Sequence, residues 1–276
     1  MDPASLQSAL AGPTGADGAV VLFDCRTKLG APDWGLQVYQ QGHIAGAQHL
    51  DLDRHLAAPA GAQGRHPLPD RLQLAAHLRQ QGVGQNSQVV VYDDAGGAFA
   101  ARAWWCLRWL GHRAVAVLDG GLPAYAALPG VHLQTDVPVA PNAGDFEASA
   151  PLTRSVDADA VLRQVQQPTG DTALLDARAL ARFNGAEEPI DAVAGHIPGA
   201  QCRPFTDNLD SNGQFKQPEV LREELATLPP QVICYCGSGV TAAHNILALV
   251  HAGYAEPALY PGSWSGWITD PNRPLA

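Results

Sequence analysis

Toward the end of the chain, Gln231-Val-Ile-Cys-Tyr-Cys236 reads as an apolar strand that runs into Gly237, Ser238 and Gly239 and then into a helical stretch from Thr241. Residues with almost no side chain let the loop curl, so its N–H groups can turn toward one point. The helix that follows adds its partially positive end. A sulfur held there is stabilised as an anion by oriented dipoles, which is the environment of a nucleophilic thiolate. The same cradle can hold a second sulfur attached to Cys236. A buried, inert structural cysteine is the competing reading, and the run of loop-forming neighbours argues for the nucleophile. Ser238 places a hydroxyl inside the cradle, where it can donate to the sulfur or relay a proton, or simply serve the loop's shape. Thr241 is expected to cap the helix. Cys234 is read as core: Cys-x-Cys is not a usual zinc spacing and no second pair accompanies it, so no metal site is expected.

The six residues Cys236-Gly237-Ser238-Gly239-Val240-Thr241 resemble the active-site loop of the rhodanese-like sulfurtransferases, in particular the 3-mercaptopyruvate branch. The resemblance implies that Cys236 carries a persulfide in a cradle formed by Gly237, Ser238, Gly239, Val240 and Thr241. It also implies that an Asp and a His from the first half approach Ser238 as a relay. The family's His-Ile-x-Gly-Ala, Asp-x-Asp and His-Pro pattern assigns these roles to Asp53, in Asp51-Leu-Asp53, and to His66, in Gly64-Arg-His-Pro. Arg182-Phe183 matches the pair that binds the substrate carboxylate, a task suited to the bidentate guanidinium fork. Such enzymes usually carry a second Arg nine residues later. Here that place holds Ile190 or Asp191, and Arg65 is the candidate to compensate.

The elements that must position these residues occur twice. Leu22-Phe-Asp24-Cys-Arg26 matches Leu174-Leu-Asp176-Ala-Arg178, and Gly42-His-Ile matches Gly195-His-Ile. Gln88-Val-Val-Val-Tyr92-Asp93 matches Gln231 to Cys236, and Trp109-Leu-Gly111 matches His251-Ala-Gly253. Landmarks in one order mark a tandem repeat. Arg26 and Arg178 are then structural partners of acids, and His43 and His196 are structural too. Short apolar runs at 20–23, 88–92 and 114–118, with helical patterns at 98–110 and 241–251, give the βα alternation of an α/β fold. The expectation is two rhodanese-like domains, each an open, mostly parallel sheet flanked by helices: residues 1–135, a linker at 136–152, and residues 153–276. Cys236 falls beyond the carboxyl end of a strand, where such sheets bind ligands. The first copy has Asp93 at that place and is expected to be catalytically inactive, because an acid there repels anions.

Composition narrows the classes. A net charge of −10 with only Lys28 and Lys216 argues against nucleic acid as a partner. Five cysteines form no disulfide framework and fit a reducing compartment. The start shows no secretory pattern and no run spans a membrane, so a cytoplasmic protein without a membrane partner is expected. No cofactor is implied. The leading function is transfer of sulfur from 3-mercaptopyruvate through a Cys236 persulfide to a thiol, thioredoxin or cyanide. The alternatives are a thiosulfate sulfurtransferase (rhodanese) and, behind it, a non-enzymatic rhodanese-like binding module. Loops of thiosulfate enzymes tend to hold a cation, and residues 237–241 hold none. A Cys-x5-Arg phosphatase is rejected because the sixth residue after Cys236 is Ala242.

Overall fold

The computed structural model describes residues 1–11, 20–136 and 142–276. The chain divides into two compact units. Unit 1 comprises Met1–Ala58, Pro69–Leu152 and Ser211–Gln214, and unit 2 comprises Pro59–Leu68, Thr153–Asp210 and Phe215–Ala276.

In unit 1 the strands are β1 (Val20–Asp24), β2 (Gln48–His49), β3 (Gln88–Tyr92) and β4 (Val115–Val117). All pair in parallel, in the order β2-β1-β3-β4. The helices are α1 (Pro3–Leu10), α2 (Trp34–Gln41), α3 (Arg71–Gln80), α4 (Ala100–Trp109) and α5 (Gly121–Ala126). Unit 2 has β5 (Arg154–Ser155), β6 (Thr172–Asp176), β7 (Gln201–Cys202), β8 (Gln231–Tyr235) and β9 (Ala258–Leu259). Its helices are α6 (Ala158–Gln166), α7 (Leu180–Phe183), α8 (Pro218–Glu224), α9 (Ala242–His251) and α10 (Ser263–Trp267). The sheet order, β5-β9-β8-β6-β7, repeats that of unit 1 with one extra edge strand. Both central strands, β3 and β8, are apolar runs, as expected of strands covered on both faces of a parallel sheet.

The repeat extends to single hydrogen bonds. Arg26 Nε and Nη2 grip the Asp24 carboxylate, with Nη2 at 2.6 Å, and Nη2 also donates to Gly42 C=O. Arg178 repeats this with Asp176, at 2.8 Å, and Gly195 C=O. Tyr92 Oη accepts from Ile44 N–H and Tyr235 Oη from Ile197 N–H. His43 stacks on Tyr39, and His196 stacks on Phe183. The two arginines and two histidines therefore hold the scaffold, as expected. The cores correspond as well: Leu22, Ile44 and Tyr92 in unit 1, and Leu174, Ile197 and Tyr235 in unit 2.

Of the segment assigned as linker, residues 137–141 lie outside the described residues. From residue 142 on, the chain is bonded to unit 1: Gly144 N–H donates to Arg79 C=O, Phe146 N–H to Val83 C=O and Leu152 N–H to Arg108 C=O, and Phe146 is fully buried. The unit boundary falls between Leu152 and Thr153. Among the described residues, no helix is long and apolar enough to cross a membrane, and no cluster of His, Cys, Asp and Glu could hold a metal ion.

Candidate active site

Cys236 follows β8 directly and is 2 % exposed. Its Sγ accepts from Gly239 N–H at 3.2 Å and from Ser238 N–H at 3.5 Å. The loop is fixed from behind by the start of α10. Cys236 N–H donates to Ser263 Oγ at 3.0 Å, while Trp264 N–H donates to Cys236 C=O and Ser265 N–H to Gly237 C=O, both at 2.9 Å. Ser263 is the one non-glycine with positive φ among the described residues, at +52°, a conformation that costs of order 1 kcal/mol or more. It is fully buried, and its hydroxyl donates to Tyr260 C=O. No pattern in the sequence singles out this serine.

Gly239 has φ +77°, and a Cβ there would lie 2.5 Å from Pro261 C=O, so the loop requires glycine at this point. Thr241 corrects an expectation. It occupies the residue before α9, but its backbone is already helical (φ −72°, ψ −13°) and its side chain makes no capping bond. A cap needs extended geometry to swing its oxygen back over the first turn. A cavity of about 510 Å³ in unit 2, lined by Tyr260, Pro261, Gly262, Gly266 and Arg273, borders the bracing segment; Cys236 does not line it.

Ser238 is buried, and its Oγ lies 2.7 Å from His66 Nδ1. Residues 59–68 belong to unit 2, so this pair is internal to that unit. Asp53 stands in unit 1, exposed on the turn after β2.

The cations are arranged differently from the expectation. The Nε and Nη2 side of Arg182 is taken by Glu188, at 3.2 and 2.7 Å, and Nη2 also donates to Asp191 at 2.9 Å. Its bidentate fork is therefore spent on the protein's own acids. Arg65 pairs with the same Asp191 through Nη1. One nitrogen of each guanidinium remains directed at the loop: a Cβ on Gly237 would lie 2.9 Å from Arg65 Nη2 and 3.4 Å from Arg182 Nη1. Neither nitrogen has a hydrogen-bond partner among the described residues. Arg65 thus enters the site as the second cation. Asp191, one of the two residues standing where the sequence lacks the second arginine, is the acid that joins the two. Burial raises the Asp191 carboxyl above its ordinary value against the pull of Arg65. Burial also pushes Glu188 upward, but bonds from Asp191 N–H and Arg182 outweigh it and hold Glu188 low.

Cys25, Cys106 and Cys234 are buried in the cores, and burial pushes all three thiols up. Burial, and then the Asp176 carboxylate, push Cys202 up to about 11.

In unit 1 the corresponding loop, residues 94–99, is one residue longer. It is filled rather than simply repellent. The Asp93 carboxylate, fully buried, accepts from the N–H groups of Ala95, Gly97, Phe99 and Ala100 at 2.8–2.9 Å. The protein's own anion occupies the place where unit 2 has its sulfur.

Comparison with known proteins agrees with this fold. The rhodanese-like domain family matches the chain twice, over residues 7–128 and 157–270. A probable 3-mercaptopyruvate sulfurtransferase of Pseudomonas aeruginosa is 52% identical over 265 residues, covering 93% of this chain and 92% of the relative. A putative thiosulfate sulfurtransferase, SseB of Mycobacterium tuberculosis, is 41% identical over 278 residues, covering 96% and 94%. Among solved structures, the 3-mercaptopyruvate sulfurtransferase SseA of Escherichia coli superposes with a TM-score of 0.80 at 31% identity, over 96% of this chain and 98% of that one. The 3-mercaptopyruvate sulfurtransferase of Leishmania major gives 0.78 at 28% identity, over 96% and 72%. With both halves matched and relatives aligned nearly end to end, the chain belongs to the rhodanese-like sulfurtransferases, as a tandem two-domain member.

Proposed function

We propose that the protein transfers sulfur from 3-mercaptopyruvate through a persulfide on Cys236. The observation that carries the reading is the loop's store of donors. Gly239 and Ser238 N–H already point at Sγ, and no hydrogen bond is found among the described residues for the N–H groups of Gly237, Val240 and Thr241. Gly237 and Val240 are buried, and buried donors rarely go unpaired. In unit 1 the comparable donors are consumed by Asp93. A loop that keeps its donors for an atom beyond Sγ suits an outer sulfur.

In the first half-reaction the Cys236 thiolate attacks the sulfur of mercaptopyruvate. The S–S bond forms, the C–S bond breaks, and pyruvate leaves as its enolate. Arg65 Nη2 and Arg182 Nη1 suit the donor's carboxylate, each offering one charge-assisted hydrogen bond. The Ser238–His66 pair is the route for the proton that the enolate takes up. For Asp53 we propose a part in proton handling on its motif alone. In the second half-reaction an acceptor thiolate, from a small thiol or thioredoxin, or cyanide, attacks the outer sulfur and releases the Cys236 thiolate. The loop N–H groups stabilise negative charge on sulfur in both steps. We assign the cytoplasm as the compartment, on five free cysteines.

Thiosulfate is the second reading for the donor, because relatives named for each donor align along nearly the full chain. Steady-state rates with both donors, together with intact mass after donor treatment, test the proposal. Wild type is expected to gain one sulfur and to prefer mercaptopyruvate. Cys236→Ser is expected to gain none and to lose all transfer. Sulfur found on another cysteine overturns the proposal.

A further inference from the structure

The charges around the Cys236 loop cancel. Arg65 and Arg182 bring two positive charges. The Asp191 carboxylate, 3 % exposed, accepts from both, from Arg65 Nη1 and from Arg182 Nη2. The Glu188 carboxylate, 5 % exposed, accepts from Arg182 Nε and Nη2, and from the N–H groups of Ile190 and Asp191. Arg178, the next cation along, is matched by Asp176 at 2.8 Å and also reaches Glu188 through Nη1 at 3.5 Å, so three cations face three acids. What faces Gly237 is therefore two hydrogen-bond donors carried on a locally neutral network, not a pool of excess positive charge. A site without net charge has little long-range field for salt to screen.

We propose that Asp191 is a specificity-determining residue that makes the Cys236 site favour singly charged sulfur donors over doubly charged ones. A single carboxylate finds two directed N–H donors and needs no surplus charge. A dianion brings a second negative charge within reach of a fixed carboxylate that lies between the two guanidiniums. Like charges at such separations in a partly buried site repel strongly enough to alter affinity by an order of magnitude or more. Asp191 does not touch the sulfur. It acts by holding Arg65 and Arg182 in place and by cancelling their charge. The inference takes its donors from the sulfurtransferase reading above, but the property it asserts, the potential at Cys236, can be measured without turnover.

The test is Asp191→Asn, with Asp191→Glu beside it. The rate of Cys236 alkylation is measured with neutral iodoacetamide and with anionic iodoacetate. The iodoacetate-to-iodoacetamide ratio is expected to rise at least fivefold in Asp191→Asn and to stay within twofold of wild type in Asp191→Glu, which keeps the charge. In turnover, kcat/KM for thiosulfate is expected to rise at least tenfold relative to mercaptopyruvate in Asp191→Asn. An unchanged alkylation ratio in folded Asp191→Asn overturns the inference, as does an equal change in both donors' kcat/KM. Should Asp191→Asn fail to fold, wild type decides. Between low and high salt its alkylation ratio is expected to change little, and a steep fall with salt, the mark of a strongly positive site, overturns the inference. If no donor transfers sulfur to Cys236, the sulfurtransferase reading fails, while the alkylation ratios still report on Asp191.

Discussion

Gly237 and Gly239 look alike in sequence but are held to glycine by different neighbours. At Gly239 an added Cβ meets backbone, Pro261 C=O at 2.5 Å, in a left-handed conformation. At Gly237 it meets the far end of Arg65, at 2.9 Å, which can move. Gly239→Ala is therefore expected to distort the loop and lower thiol reactivity. Gly237→Ala is expected to leave the reaction of Cys236 with iodoacetamide nearly unchanged, while raising KM for mercaptopyruvate by roughly tenfold as Arg65 swings aside and one charge-assisted contact of about 1.5–3 kcal/mol weakens. Equal losses in both assays would mean that Gly237 serves only the loop's shape. The Cys236 loop and its glycines were readable because they are contiguous. The Ser238–His66 pair spans 172 residues and the Arg65–Asp191 pair 126. His66 was reachable only by resemblance, and nothing in the chain's local pattern marks Asp191 as the bridge between two arginines.

The turn after β2 and helix α3 together carry a pH-sensitive contact. His55 stacks on His77 with ring centroids 4.0 Å apart, and His55 Nδ1 accepts from Asp51 N–H. Burial, and then the neighbouring His77, push His55 down to about 4. Burial lowers His77 as well. The folded form thus resists a proton that the unfolded chain takes up near the ordinary value of 6.5. The stability this contributes is fully present above about pH 6.5 and is lost as the pH falls through about 4. The loss from His55 is at most roughly 3 kcal/mol. Denaturant unfolding at pH 7 and pH 4.5 should show a marked drop in wild type and a smaller one in His55→Asn, whose amide oxygen can still accept from Asp51. A drop of equal size in both would remove His55 as its cause. Strands and helices themselves were legible from sequence: β1, β3 and β8 are apolar runs, and α4 and α9 begin within two residues of their expected starts. The two-residue strands β2, β5, β7 and β9 were not, because a strand that short leaves no period to read.

The two copies share a scaffold and differ in what fills the loop after the central strand. Asp93→Cys is therefore not expected to create a second transfer site. The four N–H groups now satisfied by the carboxylate would face a single sulfur atom, and Asp94 beside it adds negative charge. Mass spectrometry after donor treatment should find no added sulfur at position 93, and the variant should melt below wild type, because buried donors left unpaired cost about 1–3 kcal/mol each. A persulfide forming there as fast as on Cys236 would show that the scaffold alone suffices.

The sheets also end in a way that bears on solubility. The outermost strands, β2 and β4 in unit 1 and β5 and β7 in unit 2, are only two or three residues long. An open sheet margin is a template on which another chain can add a strand and begin to aggregate. Margins this short offer an incoming strand only a bond or two. The long, sticky β3 and β8 are kept inside, so a chain rich in parallel apolar strands presents little ladder on which copies could polymerise.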